Sequence, residues 1–343
     1  VEFIKPTYLD KTGFILIVSN YYAPYAGVFL SSLINHSKPD ETYDIIIFER
    51  KISEENKRLL LKLVGMCENF SLRFVDASAI MRTFIHDYLQ LEKFYPIEVC
   101  IQVLAPFFVD GYSRLICIDT DTLPLRNIGE LKKIPLDNHI IAAVPDAFLI
   151  GSLETDYIWR RMGITLKEYS QKVLHLNNPD KMINAGLIIF DCKMYCDMIS
   201  IKEALKMIKS GKYIFLSQDI LNCMLEGKIK FLNPAWNVLV AANDSSKMFV
   251  NAVLASEDKT FSCAYKNPYM LHWAGKPKPW VCPDAPYGSE WWEVAKETPF
   301  FAHIIARMVK DLDERQRYYM TNYGTKVDVW DPTPQNLNRI RVN

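Results

Sequence analysis

The stretch "LICIDTDTLPLRNIGEL", residues 115–131, decides the fold. It opens as a continuous apolar run and ends abruptly on Asp119 and Asp121, with Thr120 between them. A short apolar run bounded by turn residues reads as a buried strand. In open α/β sheets, ligands bind just past the exit of such a strand. Two readings are open here. Strand exits collect aspartates as turn formers and helix caps. Equally, two neighbouring carboxylates repel unless a proton or cation joins them, and a hard divalent metal suits oxygen ligands.

The same strand-then-helix pattern repeats upstream. "GFILIVS" (13–19) precedes "APYAGVFLSSLINH" (23–36), and "YDIIIFE" (43–49) precedes a helix capped by Ser53 with Glu54 and Glu55 in its first turn. "FSLRFVDA" (70–77) precedes helical sequence that runs to Val109. Alternating strands and helices predict a mostly parallel sheet covered on both faces. Downstream, the spacing predicts strands at 139–145 and 229–233, extended segments at 182–190 and near 269–273, and a helix near 217–226. Asp146 repeats the carboxylate at a strand exit.

Residues 291–320 predict a C-terminal helix with Ala295, Ala302, Ile305, Val309 and Leu312 on one stripe and Pro299 breaking its first turn. Packing on the domain is the expectation; a membrane-surface face built from Trp291, Trp292, Phe300 and Phe301 is the alternative. "DPTPQNLNRIRVN" (331–343) reads as a loose tail.

Composition narrows the function classes. The 343 residues are half apolar, enough for a sizeable core, and 40 basic residues cancel 40 acidic ones. Without a basic surplus there is no long-range pull on phosphate backbones, so nucleic acid is not an expected partner. The eight cysteines form no Cys-x-x-Cys pair and read as buried free thiols of a reducing compartment. The longest apolar runs fall short of the roughly 18–20 residues a spanning helix needs. "VEFIKPTYLDKTG" at the N-terminus lacks a signal-peptide pattern. The expectation is a cytoplasmic protein with a trimmed start.

Further segments carry candidate chemistry. In "LHWAGKPKPW" (271–280), Gly275 permits close backbone approach, Lys276 and Lys278 bring positive charge, and prolines stiffen the turn. That suits a diphosphate clamp, although a single histidine such as His272 is often structural. "KMINAGLIIFD" (181–191) places Asn184-Ala185-Gly186 before an apolar strand, and "SQDILN" (217–222) offers Ser217 as a helix cap with Asp219 in the first turn.

In this order, with Gln218-Asp219-Ile220-Leu221-Asn222, Trp236-Asn237 and a closing His-x-x-Gly-x-x-Lys-Pro-Trp, residues 14–282 resemble glycosyltransferase family 8. That family includes glycogenin and bacterial galactosyl- and glucosyltransferases of lipopolysaccharide and surface-glycan assembly. The resemblance implies an α/β GT-A fold, Rossmann-like, over residues 1–288, with a C-terminal helical extension over 289–343. It implies a retaining, metal-dependent transfer of a hexose, galactose or glucose, from a UDP-sugar to a glycan or glycolipid acceptor, at the inner face of a membrane. Carried over by motif, Asp119, Asp121 and His272 bind Mn²⁺ or Mg²⁺, and Gly275 and Lys278 hold the diphosphate. Ser19, Asn20, Tyr22, Gln102, Thr120 and Ala185 meet the donor. Asp146, Asn184, Gln218 and Asp219 match residues that face the donor sugar and acceptor. For retention, the acceptor attacks the face that the leaving group vacates, with Gln218 and Asp219 stabilising the oxocarbenium-like centre.

Three positions depart from the pattern. Ser19, or Val18 in an alignment that matches Asn20-Tyr21 directly, stands where an aspartate is usual. Gln102 replaces an arginine, and Ser217 replaces the first aspartate of Asp-Gln-Asp. These point to a different donor sugar or a weaker donor affinity. Two rivals are a catalytically inactive member that binds a glycan or partner, and a haloacid-dehalogenase-type phosphatase. The latter wants Thr or Val where Leu123 stands, and lacks its later acid pair.

Overall fold

The computed structural model describes residues 3–84, 97–159, 163–210, 212–257 and 259–323. The expected tail and part of the expected helical sequence before Val109 lie outside them. Twelve strands follow in chain order: β1 (Thr12–Ser19), β2 (Tyr43–Arg50), β3 (Phe70–Asp76), β4 (Arg114–Ile118), β5 (Thr122–Pro124), β6 (Ile141–Pro145), β7 (Ile158–Trp159), β8 (Ile164–Thr165), β9 (Ile183–Asp191), β10 (Ile229–Phe231), β11 (Val238–Leu239) and β12 (Met270–His272).

Seven of them form the main sheet, in the order β10-β6-β9-β4-β1-β2-β3. β9 runs antiparallel to both neighbours and the other pairings are parallel. The apolar runs predicted this, because a strand covered on both faces has no solvent side. Side-chain alternation sorts the strands into two cores. Phe14, Leu16, Ile116 and Ile118 join the core under the helices Ala23–Asn35 and Glu54–Val64. Ile15, Leu115 and Cys117 join the core on the opposite face, with Ile101, Tyr195 and Ile220. Ser53 caps its helix as expected, accepting from Asn56 N–H at 3.2 Å.

The C-terminal segment departs from the single predicted helix. Helices Gly288–Ala295 and Phe301–Tyr323 are separate, with Pro299 between them lacking an N–H to continue the first. The break resets the phase, so the predicted stripe fails: Val309 is 55% exposed, Ala302 is exposed, and of the five only Ala295 is buried. Trp291, Phe300 and Ile304 face inward instead, in one core with Trp280. Trp280 stacks on Tyr25 at 4.1 Å, and a Cβ added at Gly27 would come within 2.4 Å of the Phe300 ring. Of the four aromatics that a membrane face would use, Trp291 and Phe300 are buried and Phe301 is 38% exposed.

Among the described residues, no helix is long and apolar enough to cross a membrane. The cysteines described are free, and their burial is mixed: Cys117 and Cys192 are buried, whereas Cys196 and Cys263 are exposed.

Candidate active site

Two short strand pairings build one corner of the site. Past β4 the chain is held by Asp119 N–H donating to the Gly186 carbonyl (3.0 Å) and Thr122 Oγ1 donating to the Asp119 carbonyl (2.7 Å). β5 then pairs antiparallel with β12, which sets Thr122 opposite His272. Trp273 N–H donates to the Asp121 carbonyl at 3.0 Å. His272 Nε2 consequently lies 3.2 Å from Asp121 Oδ1 and 3.9 Å from Asp119 Oδ2. Among the described residues this is the one group of three Asp, Glu, His or Cys side chains placed to hold a metal, its candidate ligand atoms all within 4.8 Å of one another.

A hydrogen-bond chain fixes the histidine tautomer. Gly186 N–H donates to Asn184 Oδ1 (2.8 Å), so that oxygen is an acceptor, and it also receives Asn237 Nδ2 (2.8 Å). The Asn237 amide is thereby oriented with Oδ1 toward His272 Nδ1, 2.9 Å away. Nδ1 carries the proton, and the Nε2 lone pair faces two carboxylates. Acceptor opposing acceptor at 3.2 Å calls for a proton or cation between them, and two carboxylates with one imidazole fit a divalent ion such as Mn²⁺.

The charges are uneven. Burial, then the charge of Asp121, push the Asp119 carboxyl up to about 6, although 42% of its side chain still faces the cavity. Burial works against ionisation of Asp121 too, but Lys278 and His272 outweigh it and hold that carboxyl below the usual range. Lys278 Nζ pairs with Asp121 Oδ2 at 2.5 Å and also donates to the Trp273 carbonyl.

These residues edge a cavity of about 440 Å³. Gly275 lines it, and a Cβ there would find no protein atom nearer than Asn243 Nδ2 at 4.0 Å, so its bare backbone faces open space. The opposite wall is polar: Gln102, Asp146, Asn184, Ala185, Ser217 and Gln218. It forms where β9 bulges. Ala143 of β6 pairs with Ile188 but Val144 pairs with Asn184, which leaves Ala185 and Gly186 free to turn into the site. Phe148, Trp159, Phe215 and Leu216 add apolar surface.

Gln102 Nε2 donates to the Ala185 carbonyl (2.6 Å), and the Ser217 hydroxyl donates to Gln102 Oε1. Ser217 therefore does not cap its helix as expected. Leu216 takes the cap position at φ 56°, a left-handed conformation that is strained for leucine. Asp219 lies behind the wall rather than on it: fully buried, its Oδ2 accepts from Tyr169 Oη (2.7 Å) and Phe215 N–H (2.8 Å). Burial pushes its carboxyl up to about 6.

Thr120 is buried between the two aspartates. Ser19, Asn20 and Tyr22 do not line this cavity. Asn20 Oδ1 accepts from Ser53 N–H (2.9 Å) and Asn56 Nδ2 (2.8 Å), and the Tyr22 ring stands edge-on to Trp280 at 6.1 Å. Sequence reasoning passed over Asn237 and Gly186 as site residues. A Cβ on Gly186 would fall 2.3 Å from His272 Cε1, a demand visible only once the histidine ring is placed.

The family model "Glycosyl transferase family 8" matches residues 14–282. A putative glycosyltransferase of Haemophilus influenzae is 23% identical over 265 residues, covering 76% of this chain and 70% of that protein. The lipopolysaccharide 1,3-galactosyltransferase of Salmonella typhimurium is 23% identical over 230 residues, covering 63% of this chain and 61% of that protein. Among solved structures, the bifunctional glycosyltransferase WbbM superposes with a TM-score of 0.76 at 28% identity, covering 89% of this chain. The chain spans 53% of the WbbM chain, about half its length. A family match that begins in β1 and runs past the histidine motif embraces the whole sheet, and the chain belongs to glycosyltransferase family 8, with a GT-A fold.

Proposed function

We propose that this protein is a retaining, metal-dependent hexosyltransferase that moves galactose or glucose from a UDP-sugar to a glycan or glycolipid acceptor. The convergence of Asp119, Asp121 and His272 at one end of the cavity, with Lys278 against Asp121, carries the reading. The three would hold Mn²⁺ or Mg²⁺, which when bound neutralises charge developing on the departing diphosphate. Lys278 offers a second positive charge, and the open backbone of Gly275 lets phosphate oxygens approach. Asn184, Ala185 and Gln218 face the sugar from the polar wall. Asp219 supports that wall from behind by holding Tyr169 and Phe215.

Two of the departures from the family pattern meet in space. Gln102 and Ser217 hydrogen-bond to each other, a neutral pair where the resemblance implies an arginine and an aspartate. The pair is mutually satisfied and leaves no unpaired charge in the wall, which favours an altered donor-sugar preference over loss of activity. The lipopolysaccharide 1,3-galactosyltransferase relative supports a surface-glycan acceptor.

Nucleotide release across UDP-, GDP- and CMP-sugars, with and without Mn²⁺, tests this. Release from UDP-galactose or UDP-glucose that requires Mn²⁺ is expected. Mn²⁺-independent release, or none from any donor, would sink the proposal, and silence throughout would leave a glycan-binding protein.

A further inference from the structure

Asp146 follows β6 and is 3% exposed. An ionised carboxylate offers about four lone-pair positions, and here each has a donor. Oδ1 accepts from the N–H groups of Phe148 (2.8 Å) and Leu149 (2.9 Å), capping the helix Ala147–Leu153. Oδ2 accepts from Asn184 Nδ2 and Gln218 Nε2, both at 2.9 Å. Nothing remains to receive a sugar hydroxyl.

The far side of each amide is fixed by the backbone of the β9 bulge. Gly186 N–H holds Asn184 Oδ1 at 2.8 Å, and Ala185 N–H holds Gln218 Oε1 at 3.1 Å. Each amide thus has its oxygen on the bulge and its nitrogen on Asp146. Neither can turn over without losing both bonds. From Asn184 the orientation passes through Asn237 to His272 Nδ1.

We infer that Asp146 is a positioning residue: it sets the polar wall through Asn184 and Gln218, and the tautomer of His272 through Asn184 and Asn237, without touching the sugar. The inference rests on the site being a metal-dependent transferase centre and deepens that reading. Partners of this kind behind a metal-ligating histidine alter metal affinity although they never reach the ion.

Asp146→Asn is nearly isosteric and keeps the helix cap, since asparagine caps as well as aspartate. It puts an NH₂ group where two amide donors already point. Mn²⁺ affinity, measured by calorimetry without any nucleotide, should fall about tenfold or more. Asn237→Leu cuts the same chain nearer the histidine and should produce a similar loss. The double variant should lose no more than the larger single one, because both act through one path.

Unchanged Mn²⁺ affinity in Asp146→Asn, with turnover alone reduced, would show a sugar contact and overturn the inference; so would losses that multiply in the double variant. A crystal structure of Asp146→Asn gives a readout that needs no metal. At least one of the two amides should have turned, and both in their original places would overturn the inference. Wild-type protein that binds Mn²⁺ but turns over no nucleotide sugar would instead defeat the transferase reading and leave this inference standing.

Discussion

The two ends of the central sheet treat their carboxylates in opposite ways. At the amino end of β2, Asp44 is buried and its charge is matched by Arg73 at 2.7 Å, with Tyr112 Oη (2.8 Å) and Thr7 N–H (2.9 Å) completing its bonds. At the carboxyl end of β4, Asp119 and Asp121 share a single lysine, face a histidine lone pair, and open on a cavity. The first arrangement is closed and belongs to stability. The second is left short of positive charge, which is what a cation-binding site requires and a structural network avoids.

Substitutions at the two ends should separate these roles. Asp121→Ala should have the largest effect, lowering turnover by about 10³-fold or more and abolishing saturable UDP-sugar binding in calorimetry. Its thermal midpoint should move less than that of Asp44→Ala, because losing Asp121 unpairs Lys278 but also relieves the repulsion between Asp121 and Asp119. Asp44→Ala should do the reverse. It strands the Arg73 guanidinium, whose side chain is 33% exposed, so a loss of about 3 kcal/mol in urea unfolding is expected, with specific activity of the folded fraction retained. Equal activity loss from both substitutions would break the comparison.

Asp219 lies between these extremes, buried like Asp44 yet behind the site wall. Its folded pKa, about 6, exceeds the unfolded value near 3.9, so the native state holds the proton more tightly. The contribution is present below about pH 4 and is lost as pH rises through 6, on the order of 3 kcal/mol. Its Oδ1 has no hydrogen-bond partner, so ionisation leaves buried charge uncompensated. Asp219→Asn should flatten the dependence of urea midpoint on pH across that window; an unaltered slope assigns it to another group. Smallest of all, Thr7→Ala should remove the hydroxyl's hydrogen bond to Asp44 (3.1 Å) and keep the one from the backbone N–H, costing about 1 kcal/mol in chemical denaturation and leaving donor KM unchanged.

Much of the sheet was legible because β1, β2, β4 and β6 each carry an unbroken apolar run, a pattern that burial on both faces imposes. The two aspartates suggested a cation on their own chemistry, but His272 joined them only through motif resemblance. β5 and β12 are three residues each, too short to carry a periodic signal, yet their pairing delivers His272 to Asp121. The saturation of Asp146 was not legible, because it depends on a bulge in β9 and on two backbone N–H groups that no side-chain pattern encodes. Pro299 was read as a helix breaker, but a stripe drawn across it assumed one continuous phase.

The seat of Phe300 against Gly27 has a consequence for synthesis. The helix Ala23–Asn35 is made well before Trp280, Trp291 and Phe300, which cover its outer face. Until they arrive, Tyr25 and the groove at Gly27 stay uncovered, so a nascent chain can pair β1 with β2 but cannot finish that layer. The segment that follows residues 271–280 is thus the closing wedge of the body's own core, and that layer waits on a stretch more than 250 residues downstream of the helix it covers.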